Sequence, residues 1–353
     1  MNTCRIPAVL FGPFGLIVLA LRQQGGVLCG ENVSNIPRRN VFYSFFGADF
    51  CPDKALSAEN PRRIVKDNNK VWAEIRPNKT GRGFDSCWTK GEYSLTQIIT
   101  ITNQKGGVGK TTTAAALISG LNQRGARVLG IDLDPQGNLG FSLGLEIGDG
   151  YTTYDLLSRT QSVFECISPT KYGDIIPSDV LLSSAEVEFT SPRREFMLAD
   201  QIYPVMSHYD FIIIDTPPAL NILTINAYVA STGLIIPMEP EILSLVGVSQ
   251  LRDTYETVQK SCNPHLKVLG ILMNQYNNRL ILHRDVLEMA EEVAHQMGSQ
   301  VFPAKIRRSV DVAAAPAHGQ SVVTYSPKSN PARDFRKVID CIVGDAYPRP
   351  RIR

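Results

Sequence analysis

No two of the seven cysteines stand at C-x-x-C spacing. That excludes a zinc-ribbon or thioredoxin-type site. Cys4, Cys29, Cys51 and Cys87 fall before residue 95, and only Cys166, Cys262 and Cys341 after it. Three scattered thiols in the longer part suit a reducing cytoplasm better than a disulfide framework. Tryptophan is scarce, and both copies, Trp72 and Trp88, lie in the first part. Neither sign of charge dominates: 36 Lys/Arg stand against 34 Asp/Glu, a formal net charge of +2. A uniformly basic nucleic-acid binder is excluded, so any such binding must come from a local patch. The charge is unevenly spread, with 13 Lys/Arg and 8 Asp/Glu in residues 1–94 and a mildly acidic remainder. No apolar run reaches the length of a membrane span. The nearest, residues 6–21 (IPAVLFGPFGLIVLAL), holds two Pro and two Gly and is followed by no clean cleavage signal. No internal repeat, Ser/His/Asp triad or pair of catalytic carboxylates emerges.

Residues 22–94 show no sustained period of 3.6 or 2. Stretches such as NIPRRN, ENPRRIV and RPNKTGRG interrupt every short apolar run. Residues 1–94 therefore read as a weakly structured N-terminal segment. From Thr96 the pattern changes. Apolar, β-branched strands are expected at 98–102, 127–132, 211–215, 233–237 and 268–273, with shorter ones at 174–176 and 300–302. Helical patterns cover 111–123, 154–159, 184–189, 194–208, 242–260, 280–297 and 331–343. Alternating strands and helices imply an α/β domain over 95–345, a mainly parallel sheet with helices on both faces. Residues 346–353 form a short basic tail.

The first strand runs into Gln104-Lys105-Gly106-Gly107-Val108-Gly109-Lys110-Thr111 and then a helix. Strand, glycine-rich loop and helix N-terminus are what a phosphate-binding loop needs. Glycines let backbone N–H groups wrap the phosphates, and the helix end adds partial positive charge. Lys110 should reach the β- and γ-phosphates, and the Thr111 hydroxyl should ligate Mg²⁺. The general pattern asks for Gly where this chain has Gln104, and a second lysine, Lys105, stands in the loop. A second cation is unfavourable beside an empty site and favourable beside a triphosphate.

KGGVGKTTT resembles the deviant Walker A motif of the ParA/MinD class of P-loop ATPases. The resemblance covers roughly residues 96–343 and implies ATP and Mg²⁺ as ligands and ATP hydrolysis that is slow and partner-stimulated. It assigns nucleotide contacts to Lys105, Gly106, Gly107, Val108, Gly109, Lys110, Thr111 and Thr112. It implies that Lys105 reaches across a nucleotide-sandwich homodimer, with Gly106 letting the two loops approach. Ile131-Asp132-Leu133-Asp134-Pro135-Gln136-Gly137-Asn138 resembles the switch I motif of the ParA/Soj branch. There Asp134 takes the place of the residue that orients the attacking water, giving Lys105, Lys110 and Asp134 catalytic roles. A turn-forming Asp is the plainer reading of Asp134. Asp215-Thr216-Pro217-Pro218 resembles the Walker B aspartate and switch II, with Asp215 holding Mg²⁺ through water. Asn274, after the 268–273 strand, is either an adenine contact or a turn residue. Ala315-Pro316-Ala317-His318-Gly319 resembles the family's APSHG segment, with His318 structural.

ParA-like proteins bind DNA non-specifically as ATP dimers and are released by a ParB-like, centromere-binding partner. The resemblance places phosphate-contacting cations at Lys305, Arg307, Arg308, Arg333, Arg336 and Lys337, with Arg349, Arg351 and Arg353 on the tail. A solvated charged face is the other reading of each. Two departures, Arg307 for a Pro and Asp311 for an Arg, suggest a differently arranged surface. The expected function is DNA partitioning by a cytoplasmic, nucleoid-associated ATPase with no stable membrane insertion. The alternatives are a MinD-like membrane-cycling ATPase, supported by the apolar stripe Phe335, Val338, Ile339 and Ile342, and a metabolic relative such as an amidoligase. The first 94 residues read as disordered or as a misassigned extension. Lys90-Gly91-Glu92 is what a purine-rich ribosome-binding site gives in translation, and Leu95 could be an alternative start. Non-purine codons at 90–92 would sink that idea.

Overall fold

The computed structural model describes residues 96–344 except 147 and 149, together with Tyr347; before residue 96 it describes only the backbone of six short strands. The chain divides into two units, Met1–Glu92 and Tyr93–Arg353. In the first, β2 (Leu16–Gln23) pairs antiparallel with β1 (Val9–Leu10), β3 (Gly26–Val27) and β4 (Val41–Phe45). A hairpin joins β5 (Val65–Asp67) and β6 (Lys70–Trp72). These strands were not expected from the sequence. The remaining expectations for residues 1–94, and those for the tail arginines, lie outside the described residues.

The second unit is built on seven strands: β7 (Gln97–Ile101), β8 (Val128–Asp132), β9 (Ser168–Thr170), β10 (Gly173–Ile176), β11 (Phe211–Asp215), β12 (Gly233–Met238) and β13 (Lys267–Met273). They lie in the order β13-β12-β7-β11-β8-β10-β9. Every pairing is parallel except β9 with β10. The central strands are short Ile/Val/Leu runs buried along their whole length, as β8, β11 and β12 show. Such runs suit a sheet covered on both faces.

The helices are α1 (Lys110–Asn122), α2 (Asn138–Ser142), α3 (Thr153–Ser158), α4 (Val163–Cys166), α5 (Ala185–Glu188), α6 (Met197–Ile202), α7 (Ile222–Ala230), α8 (Ile242–Ser261), α9 (Ile281–Gln296), α10 (Val310–Ala314), α11 (Val322–Tyr325) and α12 (Asn330–Val343). Alternate strand residues feed two cores. Ile212 and Ile214 pack with α7, α8 and α9, while Phe211 and Ile213 pack with α1, α11 and α12. Phe335, Val338 and Ile339 are buried in the second core, so this face of α12 is docked on the domain. Gly120 makes the close approach possible, since a Cβ there would lie 2.2 Å from Ile339 Cδ1. Arg124, at the end of α1, ties the same helix by an ion pair to Asp340 and a hydrogen bond to the Arg336 carbonyl.

Two expectations are corrected. Residues 300–302 contribute one isolated bridge, Ile271 to Val301, rather than a strand. Residues 194–208 break into a 3₁₀ turn (Arg194–Phe196), α6 and a second 3₁₀ stretch (Tyr203–His208) that carries Pro204, which cannot donate a helical hydrogen bond. The helices α2, α4, α7, α10 and α11 and the strand β9 were not foreseen.

Candidate nucleotide-binding site

The C-terminal ends of β7, β8, β11, β12 and β13 share one edge of the sheet, where an open parallel sheet places its ligand crevice. After β7 the chain turns through the glycine loop into α1. Gly107 and Gly109 have φ of 78° and 88°, left-handed values that suit glycine and turn N–H groups into one concavity. Nothing lies within 4 Å of where a Gly106 Cβ would sit, which leaves this part of the loop open to approach. Thr111 and Thr112 occupy the first turn of α1, half-buried.

Two asparagines brace the loop. Asn103 donates to the Pro237 carbonyl at 2.7 Å and accepts from the Lys105 amide at 2.9 Å. Asn274 Nδ2 donates to the Val108 carbonyl at 2.7 Å, and a Gly109 Cβ would come within 2.6 Å of that nitrogen. Asn274 therefore has a bracing role in addition to the two readings offered by sequence. Its Oδ1 is buried without a partner, which leaves an acceptor free for an adenine contact.

Lys110 is buried, and its ammonium donates to the Lys105 carbonyl at 3.1 Å. Burial pulls its pKa down, opposed by the carboxylates of Asp215 and Asp134. Asp215, at the end of β11, is fully buried and neither carboxylate oxygen has a hydrogen-bond partner. Burial pushes its pKa up to about 7, while the nearby Thr111 hydroxyl and Lys110 ammonium act in the opposite direction. A buried carboxylate left bare beside a threonine hydroxyl fits a hard divalent cation, which takes oxygen ligands and retains some of its water. Thr111 and Asp215 are the residues that would hold Mg²⁺, which when bound neutralises phosphate charge.

Sequence reading passed over Asp132. It pairs across the sheet with Asp215 and is equally buried. Its carboxylate accepts from the Asp134 amide at 3.0 Å and the Leu139 amide at 2.9 Å, fixing the turn that carries Asp134. Burial and the Asp215 charge push its pKa up. Asp134 itself is half-buried and accepts from the Gln136 amide at 3.1 Å. The turn reading of Asp134 thus holds locally, and one carboxylate oxygen still accepts nothing within the described contacts. A carboxylate ending a strand, two residues before Asp134, was the available signal for Asp132.

The second overlooked feature is the pair Glu239 and Glu241, in the Met-Glu-Pro-Glu that follows β12. Lys105 Nζ lies 3.2 Å from Glu239, 2.5 Å from Glu241 and 3.3 Å from the Ser244 hydroxyl. Its pKa is raised, chiefly by the Glu241 hydrogen bond. Lys105 is thus directed to the rim of the site, apart from the Lys110–Asp215 cluster.

The candidate DNA-contacting cations divide. Arg308, Arg333 and Lys337 are exposed and Lys305 half-exposed. Arg307 makes a two-pronged ion pair with buried Asp334, at 2.8 and 2.7 Å. Arg336 donates to the carbonyls of Pro327 and Val323, holding α12 to α11, and burial lowers its pKa. His318 stacks on Tyr325 at 4.8 Å, and Gly319 packs against Gly144 so closely that a Cβ would lie 2.7 Å away.

Residues 96–268 match the family model described as an AAA domain. The chain is 38% identical over 250 residues to the chromosome partitioning protein ParA of Myxococcus xanthus, covering 70% of this chain and 87% of that one. It is 40% identical over 243 residues to the sporulation initiation inhibitor protein Soj of Bacillus subtilis, covering 68% and 95%. Among solved structures, it resembles cobyrinic acid a,c-diamide synthase from Mycobacterium smegmatis with bound ATP analog and magnesium. That match has a TM-score of 0.63 at 31% identity and covers 73% of this chain and 99% of that one.

Proposed function

This chain belongs to the ParA/Soj family of P-loop ATPases, and from that premise we propose that it partitions DNA as an ATP-dependent homodimer. It is an ATPase that takes ATP and Mg²⁺. The observation that carries the dimer reading is the placement of Lys105. Lys110 faces the buried carboxylates, whereas Lys105 is held at the rim by Glu239 and Glu241. A rim lysine that trades these carboxylates for a partner's phosphates adds charge stabilisation only in the dimer. The large apolar residues Ile242, Leu243 and Val246 stand exposed at the start of α8, beside Glu241, as a face buried by a second copy would.

In the proposed cycle, the loop amides and Lys110 hold the phosphates, and Thr111 and Asp215 hold the metal. Asp132 fixes the turn of Asp134, which positions water for in-line attack. Lys305, Arg308, Arg333 and Lys337 contribute non-specific phosphate contacts, and Arg307 and Arg336 support α12. A ParB-like partner stimulates hydrolysis and so releases the dimer from DNA. The protein acts in the cytoplasm on the nucleoid.

Docking of α12 on the core argues against a free membrane-seeking helix, and among the described residues no helix is long and apolar enough to cross a membrane. The diamide-synthase neighbour is matched over almost its full length, so chain length alone does not separate an amidoligase from this reading. The Lys105 rim contacts and the partitioning relatives favour the ParA-type cycle. The test is ATP-dependent binding to unspecific duplex DNA across a salt titration. Steep salt dependence is expected. ATP-bound protein that ignores DNA at low salt but binds anionic vesicles would overturn it.

A further inference from the structure

A surface left unexplained by nucleotide, dimer or DNA surrounds residues 180–187. A 3₁₀ stretch (Val180–Ser184) leads directly into α5, forming two helical turns that lie on the domain. Leu182, Ala185 and Phe189 face inward and are buried. Val180, Leu181 and Val187 face outward, 69%, 53% and 79% exposed. Three large aliphatic side chains within eight residues of surface helix are more than the scattered singletons a soluble surface ordinarily shows. From 175 to 192 the sequence holds Asp179, Glu186 and Glu188 and no Lys or Arg, and Arg193 and Arg194 follow at once. Their hydrogen-bond partners are neutral: Thr152 and the Leu181 amide for Asp179, the Ile222 amide for Glu186 and Tyr154 for Glu188. None enters a described ion pair. The Ser184 and Tyr154 hydroxyls hold Glu188 below the usual carboxylate range. The patch is therefore apolar at its centre with three carboxylates around it, none of them in an ion pair among the described residues, and with Arg194 reaching the Phe189 carbonyl at 3.3 Å on one side.

The patch is also wired to both switch segments. Next to Asp179, the Ser178 carbonyl lies where a Gly137 Cβ would come within 3.0 Å, and Gly137 closes the turn on the Asp134 carbonyl. On the other side Glu186 caps the amide of Ile222 at 2.9 Å, just past Pro217, Pro218 and Leu220, and Leu220 is itself 45% exposed.

We propose that this face docks a cationic amphipathic segment of the protein that stimulates hydrolysis. Docking shifts Ser178 against the Asp134 turn and Glu186 against the start of α7, so one contact sets both switches. This rests on the partner-stimulated cycle proposed above. Apolar side chains of the segment cover Val180, Leu181 and Val187, and its cations answer Asp179, Glu186 and Glu188.

The test compares wild type with Val180→Asp/Val187→Asp. Both positions are exposed enough to leave the fold intact, and neither touches nucleotide residues. Turnover is measured with ATP and unspecific DNA, with and without the purified ParB-like protein, alongside ultracentrifugation. The expected result is unchanged basal turnover and ATP-dependent dimerisation, with stimulation reduced at least about tenfold. Hydrogen exchange on wild type should show amides 180–188 slowing only when the ParB-like protein is added, and less so at high salt. Full stimulation of the variant overturns the proposal. So does exchange at 180–188 that the ParB-like protein leaves unchanged. Loss of dimerisation in the variant would assign the patch to a second copy and overturn it equally. A wild-type chain that neither binds DNA with ATP nor responds to the ParB-like protein defeats the partition reading itself, a result distinguishable because it appears before any substitution is made.

Discussion

Asp215 sits in a conflict that a proton or a cation can resolve. Its carboxyl is buried, bare of hydrogen bonds and held at about 7, well above its ordinary value of 3.8. Without metal, the unfolded chain releases this proton at lower pH than the folded chain does. Between about pH 4 and 7 the group therefore makes the metal-free protein less stable as pH rises, and the effect levels off above about 7. Asp215→Asn removes the buried charge at nearly constant shape. It should raise metal-free stability at pH 8 by on the order of 1–3 kcal/mol and flatten the pH dependence, while abolishing stabilisation by Mg²⁺ with nucleotide. Thermal melts at pH 6 and 8, with and without Mg²⁺, check both signs; a destabilised metal-free variant would show that the carboxylate serves the fold instead. Gly109 gives a steric prediction. Its φ of 88° and the Asn274 amide 2.6 Å from an added Cβ mean that Gly109→Ala distorts the loop. A loss of about 1–3 kcal/mol is expected together with weakened nucleotide binding. Calorimetric titration with ATP would expose an error if affinity were retained. The sequence made the glycines, Lys110 and Asp215 readable because each belongs to a contiguous motif. It hid Glu239 and Glu241, which meet Lys105 only because β12 and β7 end side by side.

Among the elements, the buried strands were the most legible, since β-branched runs of five to seven residues between turn signals have few other uses. Helix α7 was hidden for the opposite reason. Eight of its nine residues, all but Ile225, are buried. It therefore shows no polar face, and its apolar sequence runs on toward β12 without a change in character. Its start is marked by Asn221, whose side chain caps the Leu223 and Thr224 amides, a signal that could have located it. The packing of α1 on α12 yields a test of element contact. Gly120→Ala places a Cβ 2.2 Å from Ile339 Cδ1 in a fully packed core and should cost about 1–3 kcal/mol. Ile339→Ala alone should cost about 2–5 kcal/mol as a cavity. If the contact is direct, the double variant loses less than the sum, which denaturant melts of all four proteins would reveal. Strict additivity would mean that the two helices accommodate the methyl elsewhere.

At the scale of the whole molecule, the second unit holds every residue that the proposed cycle uses. Both cores, both switch segments, the Lys105 rim contacts and the exposed cations lie between residues 96 and 344. The Soj relative matches over 243 residues that make up 95% of its own length, so an ATPase of this family is complete at that size. A chain from 95 to 353 should then fold on its own, melt within about 2 °C of the full chain, and hydrolyse ATP at an undiminished rate. DNA binding discriminates more sharply. Residues 1–94 carry 13 Lys/Arg against 8 Asp/Glu, and if they touched phosphates they would steepen the salt dependence of binding, by roughly 0.9 log units per contact. If Lys305, Arg308, Arg333 and Lys337 carry the surface, the truncated and full chains give the same slope, and replacing those four by Ala flattens it in both. A shallower slope on truncation alone would move the DNA contacts into the first unit. Equal slopes together with an Asp134→Ala chain that stays on DNA in ATP would tie release to hydrolysis at the sheet edge, because that substitution removes the carboxylate proposed to position water and leaves the loop, Thr111, Asp215 and the rim lysine in place.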